Sequence, residues 1–445
     1  MWSMCRRSVK ESPGAGLVAA DTWPILPRKP PAHPIRAGQG SARNASRVCS
    51  ARLVDMTAVA VPPLRATPGA PFGLYLHVPF CASRCGYCDF NTYTPAELAG
   101  QPGSTVAGWL EALRRELDLA AQTLEAPAVD TVFVGGGTPS LLGADGLAAV
   151  LDAVRANFTL APDAEVTTES NPESTSPAFF ADLRAAGYTR VSLGMQSAAS
   201  HVLRLLDRVH SPGRAPAAAL EARDAGFDHV NLDLIYGTPG ESDDDLAASV
   251  DAVLAAEVDH VSAYALVVED GTALARRVRR GEMPAVDDDV LAHRYELLDA
   301  RLSAAGLDWY EVSNWSRPGG QCRHNLGYWN GGQWWGAGPG AHGHLGAVRW
   351  WNVKHPNRYA DELAAGGLPV AGFEELDDDD RHVEQVLLRI RMRDGLPTAL
   401  LAPEELRRAD DAVDAGLLVR SGENLVLTDR GRLLADAIVR DLLAD

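Results

Sequence analysis

The sequence predicts an α/β fold: a partial (β/α)6 barrel with an added C-terminal mixed and winged-helix-like helical domain. Three observations predict it. Between residues 72 and 306, short β-rich runs alternate with Ala- and Leu-rich stretches of helical period, which implies a parallel sheet with crossover connections. From residue 307 the alternation gives way to a stretch rich in Gly, Trp, Asn and His. After Asp377–Asp380 the chain reads as helix, helix, hairpin, helix, the outline of a winged-helix-like module.

The segments follow in order. Residues 1–68 hold ten Lys or Arg against three acidic residues, many Pro, and no sustained apolar period. Such a segment cannot bury enough surface to offset its ordering entropy. It reads as an Arg-rich targeting peptide or as an over-extended reading frame whose true start is Met56, and we favour the second. Cys5 and Cys49 fall here and are assigned no role. Residues 69–306 form the barrel, with strands expected at Gly73–Val78, Thr131–Val134, Glu165–Thr168, Arg190–Leu193, Val230–Ile235 and His260–Leu266. Helical stretches between them include Val106–Leu124, Leu147–Asn157, Pro177–Ala186 and Asp243–Ala256. Six such units suit an open barrel better than a closed one of eight, and function is expected at the carboxyl ends of the strands. Residues 307–373 are expected to be irregular and packed beside the barrel. Residues 374–445 supply helices near 381–393 and 403–415, then a hairpin of Leu417–Arg420 and Asn424–Leu427 around Gly422, and a last helix.

Composition narrows the function classes. The 41 basic and 59 acidic residues give a net charge of -18, and Glu374–Asp445 alone carries 18 acidic against 10 basic residues. A nucleic-acid binder needs a basic footprint, so nucleic acid is not an expected partner. No apolar run is long enough to span a membrane, and the expectation is a cytoplasmic protein, with transient membrane contact left open. Six cysteines in 445 residues are no disulfide scaffold, and three of them crowd into eight residues. That crowding points to metal in a reducing compartment.

The crowded run is Cys81-Ala-Ser-Arg-Cys85-Gly-Tyr-Cys88, directly after the first strand. Thiolates are soft ligands suited to iron–sulfur clusters. Gaps of three and two residues let one loop wrap three irons of a cube and leave the fourth iron open. A zinc site would more naturally show four ligands in paired CxxC knuckles, and His77, inside a strand, is a poor fourth ligand. This C-x3-C-x2-C loop after strand one of a βα repeat resembles the radical S-adenosylmethionine (SAM) superfamily. The resemblance implies a [4Fe-4S] cluster on Cys81, Cys85 and Cys88. SAM would chelate the open iron and be cleaved to a radical by an electron from the reduced cluster.

Each later strand ends in a motif that fits this frame. Val134-Gly-Gly-Gly-Thr-Pro139 lets the backbone approach a ligand closely, although three glycines alone are only a turn signal. Glu169 ends the third strand and suits ribose hydroxyls; before a turn, such a Glu is ordinarily just solvated. Asp233 lies within an apolar strand, where an unpaired carboxylate is costly, and Arg208 has the fork geometry to meet it or a carboxylate of SAM. A structural ion pair is the plainer reading of those two. Together the motifs resemble the anaerobic coproporphyrinogen oxidase (HemN) family, with its haem-chaperone branch, over roughly residues 70–445. By position the resemblance implies SAM contacts at Tyr75, Tyr87, Gly136, Gly137, Thr138, Glu169, Gln196, Arg208, Asp233 and Ala265.

Two departures count against the oxidase branch. That branch typically has a fourth Cys where this chain has Phe90, and residues 1–68 look nothing like its N-terminal segment. Cys322-Arg-His324-Asn-Leu-Gly-Tyr328-Trp329 matches the HNxxYW signature of the chaperone branch. Haem needs an axial ligand, aromatic or apolar walls, and cations for its propionates. His324 is the first candidate ligand and Tyr328 the alternative, with Trp329, Trp334 and Trp335 as walls and Arg323 for a propionate; Cys322 ranks below His324. The bland alternative is a histidine satisfied by hydrogen bonds. The expected function is a haem carrier that passes haem to an acceptor haemoprotein, served by an electron donor, neither of them identified. The rival is oxidative decarboxylation of coproporphyrinogen III propionates.

Overall fold

The computed structural model describes residues 61–208 and 211–444. Six parallel strands form the barrel: β1 (Phe72–Val78), β2 (Val129–Gly136), β3 (Leu160–Ser170), β4 (Arg190–Gln196), β5 (His229–Tyr236) and β6 (His260–Ala265). The crossovers are α1 (Val106–Leu124), α2 (Gly143–Asn157), α3 (Pro177–Ala186), α4 (Arg214–Asp224) and α5 (Asp243–Ala255), with α6 (Asp288–Ala304) after β6. Local chemistry sets these boundaries. In α3, Ser176 accepts from the Phe179 N–H, Pro177 opens the helix, and Gly187 closes it at φ 108°. Along α1, Trp109, Leu113, Leu117, Ala120 and Leu124 recur at helical spacing and are buried.

Strand alternation divides the sheet into two faces. Leu74, Leu76 and Val78 of β1 join the helices in one large apolar core. Gly73, Tyr75 and His77 point the other way, into a lumen lined by polar side chains. Thr131, Phe133, Glu165, Glu169, Ser192, Asn231 and Asp233 share that face, as the cross-strand register requires.

Residues 307–373 correct the expectation of irregular structure. They hold β7 (Asp308–Glu311), β8 (Asn314–Ser316), β9 (Gln333–Ala337), β10 (His342–Leu345), β11 (Val348–Asn352) and the start of β12 (Val370–Glu375). These widen the sheet on both sides to twelve strands, in the order β12-β11-β10-β9-β1-β2-β3-β4-β5-β6-β8-β7. The glycines that suggested loop serve cross-strand packing. A Cβ on Gly343 would lie 2.1 Å from the Trp350 ring, and one on Gly372 would lie 2.5 Å from the Trp351 ring. Each indole lies across a neighbouring strand where only glycine leaves room. Between β8 and β9, α7 (Arg323–Trp329) carries the HNxxYW run.

Downstream lie α8 (Asp378–Arg389), α9 (Pro403–Asp414), the hairpin β14 (Leu418–Ser421) and β15 (Asn424–Leu427), and α10 (Ala435–Leu442), with the two-residue β13 (Leu396–Pro397) beside β15. This module has its own apolar core, including Val386, Ile390, Leu418, Leu425 and Ile438. Of the proposed N-terminal extension, residues 1–60, with Cys5, Cys49 and Met56, lie outside the described residues. Leu64 is buried, and the Thr67 N–H donates to Gln333 Oε1 at 2.7 Å. No described helix is long and apolar enough to cross a membrane.

Candidate functional site

The cysteine loop leaves β1 at the carboxyl end of the sheet and is pinned at several points. The Cys81 N–H donates to the Tyr93 carbonyl (3.0 Å) and the Gly86 N–H to the Leu206 carbonyl (3.2 Å). The Gly137 and Thr138 N–H groups reach back to the carbonyls of Val78 (2.7 Å) and Phe80 (2.8 Å), so the glycine run of β2 holds the loop's first limb. A Cβ on Gly137 would sit 2.4 Å from the Phe80 oxygen, and one on Gly136 would sit 2.5 Å from the His77 ring. Glycine is a steric requirement at both positions.

Cys81, Cys85 and Cys88 are partly buried free thiols. Burial pushes the Cys88 thiol up to about 12 and raises Cys81, with smaller contributions from the neighbouring cysteines. Donors that face the sulfurs include Thr138 Oγ1–H to Cys81 Sγ (3.6 Å) and Arg208 Nη1–H to Cys85 Sγ (3.3 Å). Among the described residues no three His, Cys, Asp or Glu side chains converge closely enough to share one metal ion. Thiolates on separate corners of a cube stand farther apart than the ligands of one ion. Three soft thiolates on one loop are the donor set of an iron–sulfur cluster. The only other cysteine among the described residues, Cys322, lies beside Glu165 toward the opposite end of the lumen (3.5 Å).

The positions expected to meet SAM gather around the carboxyl ends of the six strands. Glu169, at the end of β3, accepts from the Gly136 N–H (2.9 Å), and burial pushes its carboxyl up to about 8. Tyr75 stands in the lumen near Glu169, its hydroxyl 2.9 Å from His77 Nδ1. Asp233 is held by Ser192 Oγ (3.1 Å) and Asn231 Nδ2 (2.6 Å), and burial lifts it to about 6. Arg208 is near enough to favour the ionised form of Asp233, but its hydrogen bonds go to Cys85 and the Gly194 carbonyl (3.3 Å). The expected Arg208–Asp233 pair is thus a through-space attraction without a direct bond. Arg208 Nε is buried and has no hydrogen-bond partner, which fits an anionic group of a ligand. Tyr87 packs on an apolar cluster with Leu206 and Ile235, beside Arg208. Gln196 closes β4 in the left-handed region at φ 67°, next to a register shift, and Ala265 ends β6, buried. Sequence reading missed Tyr264, a lumen neighbour of both Asp233 and Glu169. Its signal was the polar alternation of β6.

The HNxxYW residues lie elsewhere. α7 stands toward the amino-terminal end of the lumen, and His324 is buried with both ring nitrogens occupied, Nδ1 by Thr131 Oγ1 (2.8 Å) and Nε2 by the Tyr328 hydroxyl (2.8 Å). Glu165 accepts from the His324 and Arg323 N–H groups (3.0 and 3.1 Å) and pairs with buried Arg190. Trp335 is buried in the outer core and meets Glu116, Trp329 is engaged by Glu311, and Arg323 pairs with Asp163. A buried polar chain links the two ends: Asp233 to Asn231 (2.6 Å), Asn231 to His260 (2.7 Å), His260 to Tyr310 (2.7 Å), and Tyr310 to the Cys322 N–H (3.2 Å).

Comparisons with known proteins bear on the fold and the family. The radical SAM superfamily profile matches residues 75–253, and the HemN C-terminal domain profile matches residues 376–434. The chain is 71% identical to the heme chaperone HemW of Mycobacterium tuberculosis over 385 residues, covering 86% of this chain and 98% of the relative. It is 31% identical to HemW of Bacillus subtilis, covering 83% of this chain and 99% of the relative. Coproporphyrinogen III oxidase (HemN) of Escherichia coli superposes with a TM-score of 0.72 at 23% identity, over 85% of this chain and 91% of that one, a likeness of fold.

Proposed function

The chain belongs to the HemW family of the radical SAM superfamily, and on that premise we propose that it is a haem carrier that binds haem and passes it to an acceptor haemoprotein. The observation that carries this reading is the 71% identity to a heme chaperone across 98% of that relative's length. Phe90, where the oxidase branch has a fourth cysteine, supports it against decarboxylation.

The resident cofactors in this reading are a [4Fe-4S] cluster on Cys81, Cys85 and Cys88, and SAM. Such a cluster would supply single electrons to SAM at its open iron. The chain's own contribution is placement. Gly136, Gly137 and Thr138 offer a strand end that a ligand can approach, Glu169 and Asp233 offer carboxylates, and Arg208 offers a cation between the loop and the lumen. Tyr75, Tyr87, Gln196 and Ala265 complete the walls. The carrier works in the cytoplasm with an electron donor and an acceptor haemoprotein as partners.

The test is a haem titration of anaerobically reconstituted protein, followed by absorbance. Saturable one-to-one binding is the expected result. Absence of haem binding would sink the carrier reading, and turnover of coproporphyrinogen III with SAM and a reductant would establish the oxidase in its place.

A further inference from the structure

In the structure, neither nitrogen of His324 is free for an axial bond, since Thr131 and Tyr328 take both at 2.8 Å. The inner face of the sheet's extension presents imidazoles in the opposite condition. His344 pairs with Trp334 across β10 and β9, and Trp334 pairs with Gly73, whose side faces the lumen. His342, two residues earlier on β10, therefore shares that face. Trp334, His342, His344, Arg349 and Trp351 are all partly exposed along it, whereas Trp335 and Trp350 on the other face are buried under the helices.

The Nε2 atoms of His342 and His344 are buried and have no hydrogen-bond partner. His344 Nδ1 lies 3.1 Å from the Gly332 carbonyl oxygen, and the Gly346 carbonyl is close by. A carbonyl accepts only, so Nδ1 carries the proton and Nε2 keeps its lone pair. That is the tautomer of a metal-binding histidine, oriented by a donor bond from its other nitrogen. Indoles flank both rings: Trp334 stands edge-on to His344 (centroids 5.3 Å apart), and Trp351 stacks on His342 (5.9 Å). α7 sets this wall from behind, because Tyr328 packs edge-on against Trp334 (4.5 Å).

We infer that the haem iron is bound on the inner face of β10, with His344 Nε2 as axial ligand, His342 as the second imidazole of the site, and Trp334 and Trp351 as its walls. The inference rests on the carrier reading and assigns that cargo its place. The HNxxYW run then acts through Tyr328 and Trp334 as a positioning element, and His324 is its internal brace. An imidazole on one side and aromatic walls around it are two of the things a flat iron macrocycle requires, and Arg349, held on the same face by Glu374 and Glu384, is the cation beside them.

The test uses the full chain, reconstituted anaerobically and titrated with haem, with the Soret band and the low-temperature EPR spectrum as readouts. His344→Ala is expected to shift both spectra and weaken binding about tenfold, and the His342→Ala/His344→Ala pair is expected to lose saturable binding. Added imidazole should restore the Soret position in His344→Ala, which separates a lost ligand from a misfolded chain. Wild-type spectra and affinity in the double variant would overturn the site. Loss of the iron signature in His324→Ala with its retention in the double variant would return the ligand to α7. If the unaltered protein binds no haem, the carrier reading itself falls, an outcome distinct from both.

Discussion

Arg208 and Thr138 show how single residues in this chain serve the loop that the cysteines define. Each reaches a sulfur from a different loop, Arg208 to Cys85 (3.3 Å) and Thr138 to Cys81 (3.6 Å), so two of the three thiols, which would otherwise repel as thiolates, face side-chain donors. A cluster held by three thiolates would have no spare ligand. Cys81→Ala, Cys85→Ala and Cys88→Ala are each expected to lose the cluster, read as iron and sulfide content after anaerobic reconstitution. Full content in any one of them would refute the ligand set. At this scale the sequence was legible where residues that the fold brings together follow one another along a loop or close consecutive strands, as with the cysteines, Gly136, Gly137 and Glu169. It was illegible where partners are remote. His324 lies 193 residues from Thr131, and no local pattern announces that this hydroxyl takes its Nδ1. His344 was hidden the same way, because its free Nε2 is a property of the folded sheet.

Among the elements, β1 to β6 were readable because long apolar strands alternate with helices whose buried stripes keep the 3.6-residue period. The strands β7 to β12 were not, since they run only three to six residues and their glycines mirror indoles on the next strand. The helices and hairpin of the C-terminal module were legible from the helical stretches after Asp377–Asp380 and from the turn at Gly422. What fixes that module to the barrel was not. Arg432 reaches across to Asp299 on α6 (2.7 Å) and lies 4.7 Å from the Trp309 ring centre on β7. Both partners of this ion pair are mostly buried. Removing one side of such a pair leaves a charge in a poor solvent, at a cost on the order of 3 kcal/mol. Arg432→Ala is therefore expected to loosen the module from the barrel, seen as a lower denaturation midpoint and earlier proteolysis between β12 and α8. An unchanged midpoint would show that the apolar contacts suffice.

Over the whole molecule, the buried carboxyls and imidazoles leave a signature in the pH dependence of stability. Burial pushes Glu116, Glu241, Glu311 and Glu374 up to about 7, Asp233 to about 6 and Glu169 to about 8. It pushes His77, His324, His342 and His344 down to about 4. The two sets act with opposite sign. A histidine kept neutral contributes stability above its unfolded value of 6.5, which is lost as pH falls toward 4. A carboxyl kept protonated contributes below its unfolded value near 4.5, and that contribution is lost as pH rises through the folded value. Between about pH 4.5 and 6.5 the sets oppose one another; from 6.5 to 8 only the carboxyls remain. The cofactor-free protein is thus expected to melt at a lower temperature at pH 8 than at pH 6.5, with Glu169→Gln flattening the upper end of that slope because its group titrates last. A melting temperature that holds level or rises across this window would contradict the assignment. SAM is a sulfonium cation, and bound beside Glu169 and Asp233, as proposed, it would favour their ionised forms. Its binding should therefore release protons near pH 6.5 and raise the melting temperature more at pH 8 than at pH 6.5. An equal rise at both values would place the cation away from these carboxylates.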